Sequence, residues 1–312
     1  MRPDLRVHTG CQSSKVFDGT WVSLVFCKSL VTLAGTNIWR LVAALCLTVA
    51  VPASAQSANT ARNTYVDRVV TVQRDDYSVS GLVTHRHGVS KFRYAIALFP
   101  GYPGIVKLRV EQGEPRFELR GNFLVRSREH WLDDDTLTVV IDAPSDQWGT
   151  FPQTFRESAR YGADVDALLG EIARLFNVQD WTYVGTSEGS VSAYHAAGMS
   201  TGRANRLILT SSLFHPTRNG PGLSRVKWTD LNTPLLWVHH ESDPCDHTPY
   251  RDAQAFAIKS RAPLVTVRGG GPERGGLCNA FTSHGFVGME AETVAAMSSW
   301  VKTSIVPADV NP

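Results

Sequence analysis

The chain has 312 residues, of which 43% are hydrophobic and 19% charged, a composition that excludes a disordered or low-complexity polypeptide. Its formal charge of +2 comes from the first 55 residues, which hold five basic and two acidic side chains. The remaining residues carry 26 basic and 27 acidic groups with no Lys/Arg cluster, so no nucleic-acid partner is expected.

In chain order, the first recognisable signal is a leader. Arg40 precedes the apolar run Leu41–Val51, which leads into Pro52-Ala53-Ser54-Ala55. A positive flank, a short apolar core and an A-x-A site together predict a cleaved signal peptide over residues 1–55. The mature chain is expected to start near Gln56, to be exported (periplasmic or secreted) and to keep no stable membrane anchor. A second apolar stretch, Trp21–Leu33, is interrupted by Lys28 and is too short to span a bilayer. Cys46 is preceded by Leu45, which is wrong for a lipoprotein site. Cys11, Cys27 and Cys46 fall in the leader, leaving Cys245 and Cys278, which an oxidising compartment would pair as a disulfide.

Alternating patterns at Tyr65–Val70 and Ser78–Thr84 predict two early strands, paired antiparallel. Tyr94–Phe99 is almost continuously apolar, as expected for a strand buried on both faces, and ends in Pro100-Gly101-Tyr102-Pro103-Gly104, a turn. Gly121–Trp131 has helical spacing. Leu137–Ile141 reads as another buried strand. Over Glu157–Phe176, apolar residues at Val165, Leu168, Leu169, Ile172 and Leu175 form one helical stripe. Trp181–Val184 predicts a strand and Val191–Met199 a helix of small residues. Further strands are predicted at Arg206–Thr210, Pro234–His240 and Pro263–Val267, and helices at Pro249–Ile258 and Val287–Val301. Eight strands alternating with helices imply a mostly parallel sheet covered on both faces. With no linker or repeat inside it, 56–312 reads as a single α/β domain.

The chemistry gathers at three loops. Gly185-Thr186-Ser187-Glu188-Gly189 matches G-x-S-x-G, a pattern too short to carry meaning alone. Here a strand enters it and a small-residue helix leaves it, the setting that exposes a nucleophilic serine on a strained turn. A serine hydroxyl needs a base, and among ten histidines His284 stands between the last predicted strand and the last helix. The acid that would orient it belongs after the Pro234–His240 strand. Asp243 is the choice there, with Glu241 and Asp246 as rivals. An oxyanion would need N–H donors: Glu188 supplies one, and Tyr102 the second, with Gly101 as alternative. A Cys245–Cys278 bond would staple the acid loop to the base loop. His239-His240 invites a metal reading, but adjacent strand residues point to opposite faces, so no metal and no cofactor is expected.

These pieces resemble the α/β-hydrolase (serine esterase/lipase) superfamily, in a secreted bacterial form, over about Val69 to Val301. The order Ser187, Asp243, His284 is that of the superfamily. The oxyanion turn departs from it, reading Pro100-Gly101 where a His-Gly pair is usual. The resemblance implies the α/β-hydrolase fold and a carboxylesterase- or lipase-like serine hydrolase acting on a small-molecule ester or acyl substrate. Little or no cap domain is expected, since only Leu213–Asp230 is inserted, although Trp148 and Phe151 of the loop Gln147–Thr154 could overhang the site. Peptidase or acyltransferase chemistry on the same triad stays open, as does a non-catalytic binding protein on this scaffold.

Overall fold

The computed structural model describes residues 64–200, 203–228 and 231–312. The predicted leader, its cleavage site and Cys11, Cys27 and Cys46 lie outside the described residues. The first half runs β1 (Tyr65–Gln73), β2 (Ser78–Arg86), β3 (Tyr94–Phe99), β4 (Arg109–Glu111), β5 (Glu114–Arg116), α1 (Phe123–Arg126), β6 (Thr136–Ile141), α2 (Gln153–Arg156) and α3 (Ala159–Phe176). The second runs β7 (Asp180–Thr186), α4 (Gly189–Met199), β8 (Ala204–Thr210), β9 (Leu235–His240), α5 (Tyr250–Ser260), β10 (Leu264–Val267) and α6 (Glu290–Thr303).

Eight strands form one sheet in the order β1-β2-β6-β3-β7-β8-β9-β10. β2 is antiparallel to both neighbours, and all pairs from β6 onward are parallel. The central strands β3 and β6 are buried at every position, because helices cover both faces. The two-residue period of β3 divides it between two cores. Ala95, Ala97 and Phe99 pack with residues of α3 and α4, while Tyr94, Ile96 and Leu98 pack with residues of α1 and α6.

Helix α3 is the longest. Ser158 caps it by accepting the Tyr161 N–H at 3.2 Å, and Asn177 ends it in the left-handed conformation. Its stripe at Val165, Leu168, Leu169 and Ile172 is buried, whereas Leu175 lies at the exposed edge. The helical spacing over Gly121–Trp131 resolves into α1 and a separate 3₁₀ turn, Arg128–Trp131. The break falls at Ser127, whose hydroxyl bonds back to the Phe123 carbonyl at 2.6 Å. The last helix starts at Glu290 rather than Val287, since Phe286 and Gly288 both have positive φ.

Two features carried no sequence signal. The β4–β5 ribbon is nearly all exposed, so no alternation marks it. The C-terminal tail bridges Val310 to Val267 beside the sheet edge through Arg268 N–H to Val310 O and Val310 N–H to Thr266 O, both 2.9 Å.

The helix after β7 sits on β3 with no space for a side chain at its first residue. A Cβ on Gly189 would lie 2.0 Å from the Phe99 carbonyl oxygen. Gly189→Ala should therefore destabilise the protein by about 3 kcal/mol or more. Gly149→Ala, at a site with nothing within 4 Å, should stay within about 0.5 kcal/mol of wild type. Urea unfolding of both variants checks the pair.

Candidate active site

The candidate residues lie beyond the carboxyl ends of the parallel strands, where the sheet stops and loops diverge. Past the end of β7, Ser187 has φ +52°, a left-handed conformation costly for a serine and held by its surroundings. Its N–H donates to the carbonyls of Thr210 and Ser211, both at 3.1 Å. A Cβ on Gly185 would lie 2.4 Å from the Gly189 carbonyl oxygen, so both glycines of the motif are demanded by close approach. The turn lifts Ser187 above the sheet and directs the chain into α4.

Beyond β9, the Asp243 side chain is fully buried. His284 Nδ1 lies 3.2 Å from its Oδ1 and 3.1 Å from its Oδ2. Since the carboxylate accepts, Nδ1 carries the proton and Nε2 is left as a base. The Cys245 N–H donates to Oδ1 at 3.0 Å, and the Thr248 hydroxyl to Oδ2 at 2.9 Å. His239 Nε2 approaches Oδ2 at 3.1 Å and the Thr248 carbonyl at 2.8 Å. Burial alone would push the Asp243 carboxyl up, but the charge of His284 and the hydrogen bonds from His239 and His284 hold it well below the usual carboxylate range. The rivals sit elsewhere: Asp246 is exposed, and Glu241 pairs with Arg268 at 2.7 Å. His239 and His240 serve different partners, His240 Nε2 lying 2.8 Å from the Gly269 carbonyl.

Ser187 and His284 line one cavity of about 580 Å³, together with Gly101, Tyr102, Glu188 and Leu213. Among the described residues no hydrogen bond joins the Ser187 hydroxyl to the imidazole, whose Nδ1 is engaged by Asp243. No acceptor in the described chain takes the N–H of Tyr102 or of Glu188. Cys245 and Cys278 are disulfide-bonded and line the same cavity.

No protein-family model and no curated protein matches the chain by sequence. Solved structures do match in shape. Est1E from Butyrivibrio proteoclasticus superposes with a TM-score of 0.52 at 15% identity, covering 75% of this chain and 97% of that one. Dienelactone hydrolase from Anabaena variabilis gives 0.51 at 13%, covering 77% and 98%. An acylaminoacyl peptidase from Pyrococcus horikoshii gives 0.51 at 11%, with 82% of this chain on 44% of that one. The chain has the α/β-hydrolase fold.

Within that α/β-hydrolase fold the segment between β8 and β9 is short, and its residues Leu213, Pro216, Thr217, Arg218 and Asn219 form one cavity wall. The loop before α2 does not overhang the site. Phe151 is buried beneath the Arg156 guanidinium, 3.8 Å from ring centroid to carbon, and Trp148 turns inward to donate to the Ala143 carbonyl at 3.2 Å.

Arg156 is the member of this site that sequence reading missed. It is 1% exposed and donates to the Phe151 carbonyl (3.2 Å), the Ser192 hydroxyl (2.8 Å) and the Pro103 carbonyl (2.7 Å). Its Nη2 lies 3.6 Å from Glu188 Oε2. Burial pulls the guanidinium pKa down, and the Glu188 carboxylate opposes that. Glu188 Oε1 also accepts from Gln153 (3.1 Å) and Asn219 (3.2 Å). The guanidinium thus ties the turn after β3 to the residue after Ser187. Nothing in the spacing of positions 103, 156 and 188 announces it, because the contact is made only by folding. Thr248 and His239 were likewise invisible as partners of Asp243.

Because the Asp243 carboxyl is depressed on folding, its stabilisation is present above the unfolded value of about 4 and is lost as pH falls towards the folded value. The melting temperature of wild type should exceed that of Asp243→Asn at pH 7, and the gap should begin to narrow as pH drops below about 4. Thermal melts across that range check the sign.

Proposed function

We propose that the chain is a serine hydrolase that cleaves a carboxylic ester through an acyl-enzyme on Ser187. Ser187 Oγ attacks the ester carbonyl while His284 Nε2 takes its proton. Asp243 keeps the imidazole in the required tautomer and stabilises the imidazolium. The tetrahedral oxyanion is met by the N–H groups of Glu188 and Tyr102, or of Gly101 in place of Tyr102. Collapse expels the alcohol, which receives the proton from His284. Water, deprotonated by the same imidazole, then releases the acid and restores Ser187.

The observation that carries this reading is the buried carboxylate–imidazole pair opening on the same cavity as a serine in a strained backbone. The fold match supports it. One structure of Est1E holds ferulic acid, a carboxylic acid of the kind that ester hydrolysis releases. The partly apolar wall made by Phe123, Leu213, Pro216 and Ala280 suits a small acyl or aromatic group.

A fluorophosphonate should label the wild type and not Ser187→Ala, and the same change should lower kcat on nitrophenyl esters by about 10⁴-fold or more. A wild type that does not label would overturn the reading in favour of a binding protein. Faster turnover of peptide anilides than of esters would transfer it to a peptidase.

Export is proposed alongside, supported by the Arg40–Ala55 leader pattern and by the closed Cys245–Cys278 bridge. Expressed in a bacterium, the full chain should be recovered outside the cytoplasm with an N-terminus near Gln56. Retention of the intact chain in the cytoplasm would contradict it.

A further inference from the structure

We propose that the side-chain amide of Asn122 is an additional oxyanion donor, working beside the two backbone N–H groups. The inference rests on the acyl-serine reading above and extends it to a residue outside the Ser187, Asp243 and His284 loops and the turn after β3.

Asn122 precedes α1 and caps it: its Oδ1 accepts the Leu124 N–H at 3.1 Å. With one end of the amide bound to an N–H, that end is the oxygen, and the other must be the NH₂. Among the described residues this Nδ2 donates to nothing, although the residue lines the cavity beside Ser187. Its direction is marked by Gly101. A Cβ on Gly101 would stand 3.1 Å from Ser187 Cβ and 3.4 Å from Asn122 Nδ2. The amide, the serine and the turn therefore converge on one small space, and glycine at 101 keeps it clear. The turn itself is poor in donors, because Pro100 has no N–H. A side-chain donor at this corner compensates.

The amide is also held against the base. Arg126 donates to the Gly121 carbonyl at 2.7 Å and to the Gly285 carbonyl at 2.6 Å, the residues next to Asn122 and His284. It is in turn held by Glu290 at 2.9 Å. One guanidinium thus fixes the spacing between the amide and the imidazole, as a preorganised donor requires.

Capping alone does not require asparagine. Serine and aspartate cap equally well, but neither places an NH₂ in the cavity. Asn122→Ser and Asn122→Asp should therefore melt with the wild type while kcat on a nitrophenyl ester falls about 10²–10³-fold, with KM changed little. Affinity for an alkyl boronic acid, which mimics the tetrahedral adduct, should fall with kcat, while that for the product acid should not. A kcat within threefold of wild type in Asn122→Ser, which carries no new charge, would overturn the inference and leave the hydrolase reading intact. A wild type that neither labels with fluorophosphonate nor turns over ester would overturn both.

Discussion

The site depends on one contact, the bare backbone of Gly189 against the end of β3. Only because neither Gly185 nor Gly189 has a side chain can the first turn of α4 drop onto the Phe99 carbonyl. That approach does two things together. It bends the chain sharply enough to force Ser187 to a positive φ, and it brings Glu188 beside the turn that follows β3. The serine and the N–H groups at Tyr102 and Glu188 are thereby positioned by main-chain packing in the interior, where displacement is most costly.

The other half of the site has no such packing to rely on. Asp243 and His284 are on long loops, and the run 269–276 between them is rich in glycine, the residue with the most backbone freedom to lose on folding. Three restraints take the place of packing. The disulfide joins Cys245 to Cys278, closing a loop for which chain entropy suggests about 3–4 kcal/mol of stabilisation, a mechanism that is model-dependent. Thr248 and His239 hold one oxygen of the Asp243 carboxylate and the Cys245 N–H holds the other, which fixes its orientation. The Ser211 hydroxyl, at the end of β8, holds the His284 carbonyl at 2.7 Å and transfers the rigidity of the sheet to the base loop.

What could be read in the sequence follows the same division. Strands such as Tyr94–Phe99 and the stripe of α3 were legible because burial on a sheet or helix leaves a period in the chain. The positions of the candidates Ser187, Asp243 and His284 were legible because each follows a strand whose end could be located, and the structure brings Asp243 and His284 into contact. The residues that were not legible, Arg156, Arg126, Asn122 and Thr248, act through partners distant in sequence or through backbone carbonyls. A carbonyl has no residue identity, so an arginine that binds one looks like any surface arginine. The β4–β5 ribbon was missed for a different reason: an exposed pair of strands has no buried face to pattern it.

The two arginines share a design. Arg156 binds the carbonyls of Pro103 and Phe151 and leans on Glu188; Arg126 binds those of Gly121 and Gly285 and leans on Glu290. Each therefore ties together backbone segments at or next to the cavity, Arg156 the turn after β3 to Glu188 and Arg126 the segment before α1 to the residue after His284, and each is neutralised by a carboxylate from the helix side. Stability is a poor explanation for such groups, since a buried ion pair barely recovers the cost of its own dehydration. Geometry is a better one. A planar guanidinium directs several N–H groups at fixed angles, so a loop that moves loses a charge-assisted bond outright rather than weakening it gradually. With only a short segment between β8 and β9 in place of a larger cap, these clamps are what keeps the cavity walls in register with the serine.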